Sequence, residues 1–250
     1  MSKQVPMTCR QVAFTALSLS LSTGVYAVSG AELRDEATTV LELFTSQGCP
    51  FSPDADFLAA EFAQRRDVVV LTYHVDYWDY VGWKDTFGSP ANADLQRDYA
   101  LSLDVRNLYT PQLVVAGSMA VLGSDEPAAV RAMDANRLTR QVDLVASGDT
   151  LQIIVPEQDS ARPSTLWLVT YVEQATVTVD RGENAGKTLS YDHIVTSRTP
   201  LMALGAGMGA QVAIDIGLVL NEPATGLAVL VQEVLEDMPG PITGANAYEE

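Results

Sequence analysis

Residues 45–56 read TSQGCPFSPDAD and hold Cys49, one of only two cysteines in the chain. The other, Cys9, lies in the first ten residues. Upstream of this stretch, TVLELF is apolar and rich in β-formers, the pattern of a buried strand. Downstream, DADFLAAEFAQR places Phe57, Leu58, Glu61 and Phe62 at helical spacing, with Asp54 or Asp56 near the start. Cys49 is therefore expected at a strand-to-helix junction. The first turn of a helix offers unpaired N–H groups and the positive end of the dipole, and both favour a thiolate, the nucleophilic form of cysteine. The plain alternative is a buried cysteine acting as a small hydrophobe.

Outward from this junction the pattern alternates. VVVLTYHVDYW (68–78) reads as a strand buried on both faces. DYWDYVGWKDTFGSP (76–90) is aromatic and irregular, a surface loop. ANADLQRDYALSLD (91–104) reads as a helix. LYTPQLVVAGSMAVLGSD (108–125) reads as two short strands about an Ala116-Gly117-Ser118 turn. EPAAVRAMDANRL (126–138) is a helix capped by Ser124 or Asp125, with Pro127 early. This order implies a mixed sheet covered by helices over residues 38–140. From Gln141 the texture changes. TLQIIV, STLWLVTYV, ATVTV, TLSYDHIV, QVAIDIGL and GLAVLVQEV are strand-like, and they imply a small antiparallel β domain over residues 141–238. Residues 239–250 read as a loose tail. The glycines of LGAGMGA (204–210) lack the strand-turn-helix setting of a nucleotide loop.

Tyr109-Thr110-Pro111-Gln112 precedes the strand LVV. Proline cannot donate a ladder hydrogen bond, so its place at a strand entrance calls for an explanation, and a cis Thr110–Pro111 bond supplies one.

The layout resembles the thioredoxin fold: a redox site at the N-terminus of the first core helix, facing a cis-proline loop. More narrowly, ELFTSQGC, PDAD, YHVDYWDYVGWKD, YTPQLVVAG and RGENAGKTLSY resemble a bacterial family of secreted thioredoxin-like proteins catalogued as a domain of unknown function. The resemblance implies Cys-x-x-Cys at the junction, where this chain reads Cys49-Pro50-Phe51-Ser52. Cys49 matches the attacking thiol. Ser52 stands in the resolving position and cannot form a disulfide, which excludes a dithiol cycle within one chain. Monothiol chemistry remains: mixed disulfides, isomerisation, or a sulfenic acid resolved by an external thiol. The Ser52 hydroxyl is expected to assist the Cys49 thiolate, and Pro111 to shape the cleft beside backbone groups of Thr110. Trp78 and Trp83 are expected along the approach. His74 is read either as a proton donor or acceptor near Cys49 or as a satisfied core residue. RGENAGKTLSY is read as a hairpin with a structural role.

The remaining bounds come from composition. With 15 Lys+Arg against 32 Asp+Glu and a net charge of -17, a nucleic acid partner is disfavoured. Lys3 and Arg10 followed by the uncharged run from Val12 to Ala27 read as an export signal over residues 1–27, with no stable membrane span once it is cleaved. That places the protein in the periplasm or outside the cell, where Cys49 has no internal partner. No metal or other cofactor is expected: there are two histidines, no ligand spacing, and one cysteine where copper-carrying thioredoxin-like proteins use two. The expected partner is a protein or low-molecular-weight thiol or disulfide; the oligomeric state is left open. The expectation is thus an exported monothiol redox protein. The alternative is a redox-inactive binding module that holds a peptide or protein in the same groove.

Overall fold

A computed structural model describes residues 32–33, 37–160 and 162–249. The export-signal reading of residues 1–27 falls outside them. The elements in chain order are β1 (Glu32–Leu33), β2 (Thr39–Thr45), α1 (Pro53–Ala63), β3 (Val68–His74), α2 (Pro90–Ser102), β4 (Gln112–Val115), β5 (Met119–Leu122) and α3 (Glu126–Ala135). They are followed by β6 (Asp143–Ser147), β7 (Thr150–Val155), β8 (Ser164–Thr178), β9 (Thr188–Leu204), β10 (Ala210–Asp215), α4 (Ile216–Val219), β11 (Gly226–Leu235) and β12 (Met238–Glu249).

Local chemistry sets most of the first half. β2 and β3 are buried along their whole length and pair in parallel, from Thr39 beside Val68 to Thr45 beside His74. A parallel pair needs a crossover, and α1 supplies it. Pro53 opens α1 and Pro90 opens α2, positions where proline loses no helical hydrogen bond. Ser89 caps α2 by accepting from the Ala91 N–H, and Asp125 caps α3 by accepting from the Ala128 N–H. β4 and β5 form the expected hairpin, with Ala116 at φ 46° and Gly117 at φ 61°. Two successive positive φ values suit the twist of the flanking strands, and the Ser118 N–H closes the turn by donating to the Val115 carbonyl at 2.9 Å. A Cβ on Gly117 would also meet the Gly240 carbonyl oxygen at 2.5 Å.

The main sheet has nine strands in the order β1-β12-β11-β8-β9-β3-β2-β4-β5, and a separate sheet has the order β10-β7-β6. The architecture is a mixed sheet flanked by helices together with a small antiparallel sheet, as the sequence implies. Side chains alternate between cores along each strand. On β2, Leu41 and Leu43 pack with Leu58 and Phe62 of α1, while Val40 and Phe44 join Tyr73 and Tyr99 in a second core. On β11, Ala228 and Leu230 join that second core, and Leu227, Val229 and Val231 join a third beneath the small sheet.

Two expectations are corrected. Residues 239–249 are no loose tail: they lie in β12, which is mostly buried and pairs with both β1 and β11. Its glycines mark close approach, not looseness. A Cβ on Gly244 would meet the Arg140 carbonyl oxygen at 2.5 Å, and one on Gly240 the Glu233 carbonyl oxygen at 2.8 Å. Register shifts at Val231/Gln232 and Gln232/Val234 accommodate the Pro239-Gly240-Pro241 segment. The boundary near residue 140 is also not a break in the sheet. β8, β9, β11 and β12 continue the main sheet through a parallel contact of Thr72 with Ile194, and β6, β7 and β10 make up the small sheet. STLWLVTYV and the ATVT of ATVTV are parts of one 15-residue strand, β8.

Candidate functional site

Cys49 follows the end of β2 and precedes α1, so the strand and the helix together fix its place. A short turn carries it: the Cys49 N–H donates to the Ser46 carbonyl at 3.1 Å, and the Gly48 N–H to Ser46 Oγ at 3.1 Å. Its Sγ lies 3.4 Å from the Thr110 carbonyl oxygen. The Thr110–Pro111 bond is cis, as the sequence suggests. The sequence therefore brings Cys49, Thr110 and Pro111 together across 61 positions.

The aromatic loop closes over this pair. Trp78 Nε1 donates to Thr110 Oγ1 at 2.7 Å, and the Tyr77 hydroxyl donates to Gln96 Oε1 at 3.0 Å. Burial pushes the Tyr77 phenol up to about 12, and the nearby Cys49 adds to that shift. Cys49 is 0% exposed. The rim is apolar and open: Phe51 is 70% exposed and Tyr80, stacked near Trp78, is 83% exposed.

Two placements correct the sequence reading, and one decides between its alternatives. Ser52 is buried, but its Oγ has no hydrogen-bond partner among the described residues, so it makes no hydrogen bond to the Cys49 sulfur. His74 is fully buried, with Nδ1 2.9 Å from Asp85 Oδ2, which favours the core-residue alternative of the sequence reading over a role facing Cys49. Trp83 donates to Gln47 Oε1 at 2.8 Å and braces the Cys49 turn. Only Trp78 of the two tryptophans bridges to the proline loop.

Residues that the sequence did not single out hold the turn. The Gln47 N–H donates to Asp85 Oδ2 at 2.7 Å, and Gln47 Nε2 donates to Thr86 Oγ1 at 2.8 Å. Asn184 Nδ2 donates to the carbonyls of Gln47 and Cys49, both at 2.9 Å. Lys187 Nζ in turn donates to Asn184 Oδ1 at 2.9 Å. Asn184 lies between β8 and β9, inside RGENAGKTLSY, so that block supports the site directly.

Below the first turn of α1 sits a buried polar layer. Asp56 Oδ1 accepts from Thr45 Oγ1 at 2.7 Å, while Asp56 Oδ2, His74 Nε2 and the Tyr191 hydroxyl have no hydrogen-bond partner among the described residues. Burial raises the Asp56 carboxyl to about 7; His74 and the Thr45 hydrogen bond pull against this, and Asp85 adds to it. Asp85 goes the other way. Although burial opposes it, His74 and the N–H groups of Gln47 and Phe87 hold its carboxyl below the usual range. Two buried carboxyls with opposite shifts thus flank one histidine. No cluster of three or more His, Cys, Asp or Glu suited to a metal occurs among the described residues.

The model of the family described as "Protein of unknown function (DUF1223)" matches residues 40–232. The chain belongs to that family. A crystal structure of a protein from Agrobacterium tumefaciens is similar to it, with 30% sequence identity and a TM-score of 0.76. That match covers 86% of this chain and 95% of the Agrobacterium chain. No curated protein matches. The family match takes in the Cys49 turn, the aromatic loop, the proline loop and Asn184, so every segment of the site lies within it.

Proposed function

We propose that this member of the family is an exported, thioredoxin-like monothiol protein, periplasmic or secreted, that exchanges disulfides through Cys49. The observation that carries the reading is the 3.4 Å approach of Cys49 Sγ to the Thr110 carbonyl, with the thiol at the entrance to α1. The strand order β3-β2-β4-β5, with α1, α2 and α3 at their places in the chain, supports the thioredoxin-like reading. The exchange proceeds in two steps. The Cys49 thiolate attacks one sulfur of a substrate disulfide; a Cys49–substrate bond forms, the substrate bond breaks, and the departing sulfur takes up a proton. A second thiolate then attacks the substrate sulfur of the mixed disulfide and releases Cys49. That second thiol comes from the substrate in isomerisation, or from a low-molecular-weight thiol or another protein, since Ser52 offers none. Exposed Phe51 and Tyr80 provide an apolar rim for an extended peptide carrying the disulfide.

Mass spectrometry of the native protein after incubation with glutathione disulfide tests the step. The expected product is one glutathionyl adduct at Cys49. An unmodified native protein that reacts only after denaturation would count against exchange.

The complete burial of Cys49 favours a second reading, in which the thiol is a core residue and the same rim binds a peptide without redox chemistry. Under this reading Cys49→Ala retains partner binding, whereas Phe51→Ala loses it.

A further inference from the structure

Away from Cys49, α2 stands beside β8 and β9 and leaves a groove of about 990 Å³. That is the upper end of the range for small-molecule sites, roughly 300–1,000 Å³. Phe87, Leu95, Trp167, Ile194, Val234 and Met238 give it an apolar lining. The charges around it are one-sided. Arg198 is the one basic residue of the lining, and its charge is already matched. Arg198 Nη1 donates to Glu42 Oε1 at 2.7 Å and to the Tyr73 hydroxyl at 2.9 Å, Nη2 donates to Gln232 Oε1 at 2.6 Å, and the guanidinium lies 4.7 Å from the Trp167 ring centre. Four carboxylates also line the groove: Asp94, Asp98, Glu233 and Asp237. Asp94 pairs with Arg97 and Glu233 with Arg162, but Asp98 and Asp237 form no ion pair among the described residues.

We infer that this groove binds a small amphiphilic cation, an apolar chain or ring system bearing an ammonium group. The apolar body would displace water from the lining around Trp167, and the ammonium would sit at the exposed rim, where Asp98 and Asp237 supply negative charge. An anionic headgroup would meet those two carboxylates with no free base in the lining to offset them. A neutral headgroup would gain nothing from them. The site is independent of Cys49 chemistry, and its test does not involve the thiol.

The experiment is calorimetric titration of the full chain at physiological salt, where interactions with distant surface charge are screened. Decyltrimethylammonium, decanoate and decyl maltoside, each below its micellar concentration, share one apolar chain and differ in head charge. The expected result is one saturable site that takes the cation at least about tenfold more tightly than decanoate. Asp98→Asn combined with Asp237→Asn, both at exposed positions, is expected to lower cation affinity about tenfold and leave decyl maltoside unchanged. Val172→Trp fills the groove and is expected to abolish the site, with circular dichroism checking that the fold is kept. Decanoate binding as tightly as the cation, unchanged cation affinity in the aspartate variant, retention of the site in a folded Val172→Trp protein, or only non-saturating cation uptake would each overturn the inference.

Discussion

The side-chain amide of Asn184 lies 2.9 Å from the carbonyl oxygen of Cys49, which precedes it by 135 positions. One amide group thus anchors the turn that presents the thiol to the tip of a hairpin in the second half of the chain, and it also serves the Gln47 carbonyl. Both bonds are buried, so losing them leaves two acceptors without partners. Asn184→Ala is expected to destabilise the protein by about 1–3 kcal/mol. Denaturant unfolding measures this. Faster modification of Cys49 in the native variant than in the parent would locate the loss at the turn.

The Trp78 indole closes the site through a single bond to Thr110 Oγ1 at 2.7 Å. A net hydrogen bond is worth about 0.5–1.5 kcal/mol, so removing it raises the open population severalfold. Trp78→Phe keeps most of the packing and is expected to speed alkylation of Cys49 by roughly three- to tenfold. An unchanged rate would mean that another group controls access.

Asp56 gives the protein a pH signature. Its carboxyl rises from 3.8 to about 7 on folding, so between these values the folded state holds a proton that the unfolded state has released. Its contribution to stability is therefore fully present below the unfolded pKa and is lost as pH rises through about 7. Asp85, shifted down, acts oppositely: its contribution is present above 3.8 and lost as pH falls below it. The groups facing Asp56 are Thr45 of β2, His74 of β3, Asp85 of the aromatic loop and Tyr191 of β9. Asp56→Asn retains an oxygen for the Thr45 hydroxyl and removes the titration. Parent stability should fall relative to the variant between pH 4 and 7, by up to about 4 kcal/mol. Parallel stability curves would refute a raised Asp56.

Arg198 and Glu42 form a buried charge pair, 2.7 Å apart and joined to Tyr73, Tyr99 and Gln232. Arg198→Leu leaves the Glu42 carboxylate buried and unpaired, an expected loss of about 3–5 kcal/mol. Glu42→Leu added to Arg198→Leu is expected to recover part of it, because the stranded charge is then gone. A double variant no more stable than Arg198→Leu alone would contradict this reading of the pair.

What could be read in the sequence was local. Asp54 or Asp56 marks the start of one helix and Ser124 or Asp125 that of another, Ala116-Gly117-Ser118 marks the hairpin, and Cys49 between an apolar strand and a helical pattern marks the junction. The apposition of Thr110 and Pro111 to Cys49 came from the resemblance, since no periodicity spans 61 positions. Asn184, Gln47 and Asp56 act through contacts that the folded sheet creates, and an asparagine between two glycines reads as an ordinary turn residue. β12 was misread because Pro239, Gly240, Pro241 and Gly244 carry loop chemistry. There the glycines serve close backbone approach to Glu233 and Arg140. The groove beside α2 is assembled from six separated segments and has no linear signature.

The central claim is that Cys49, although buried, is an exchange-competent thiol. The most direct measurement is reaction of the native protein without residues 1–27, and so without Cys9, with an aromatic disulfide reagent, dithiobis(nitrobenzoate), using Cys49→Ser as the blank. The account predicts release of one thionitrobenzoate per native chain at a rate that Trp78→Phe increases, and none from the blank. A native chain that releases none, and reacts only once unfolded, would contradict it.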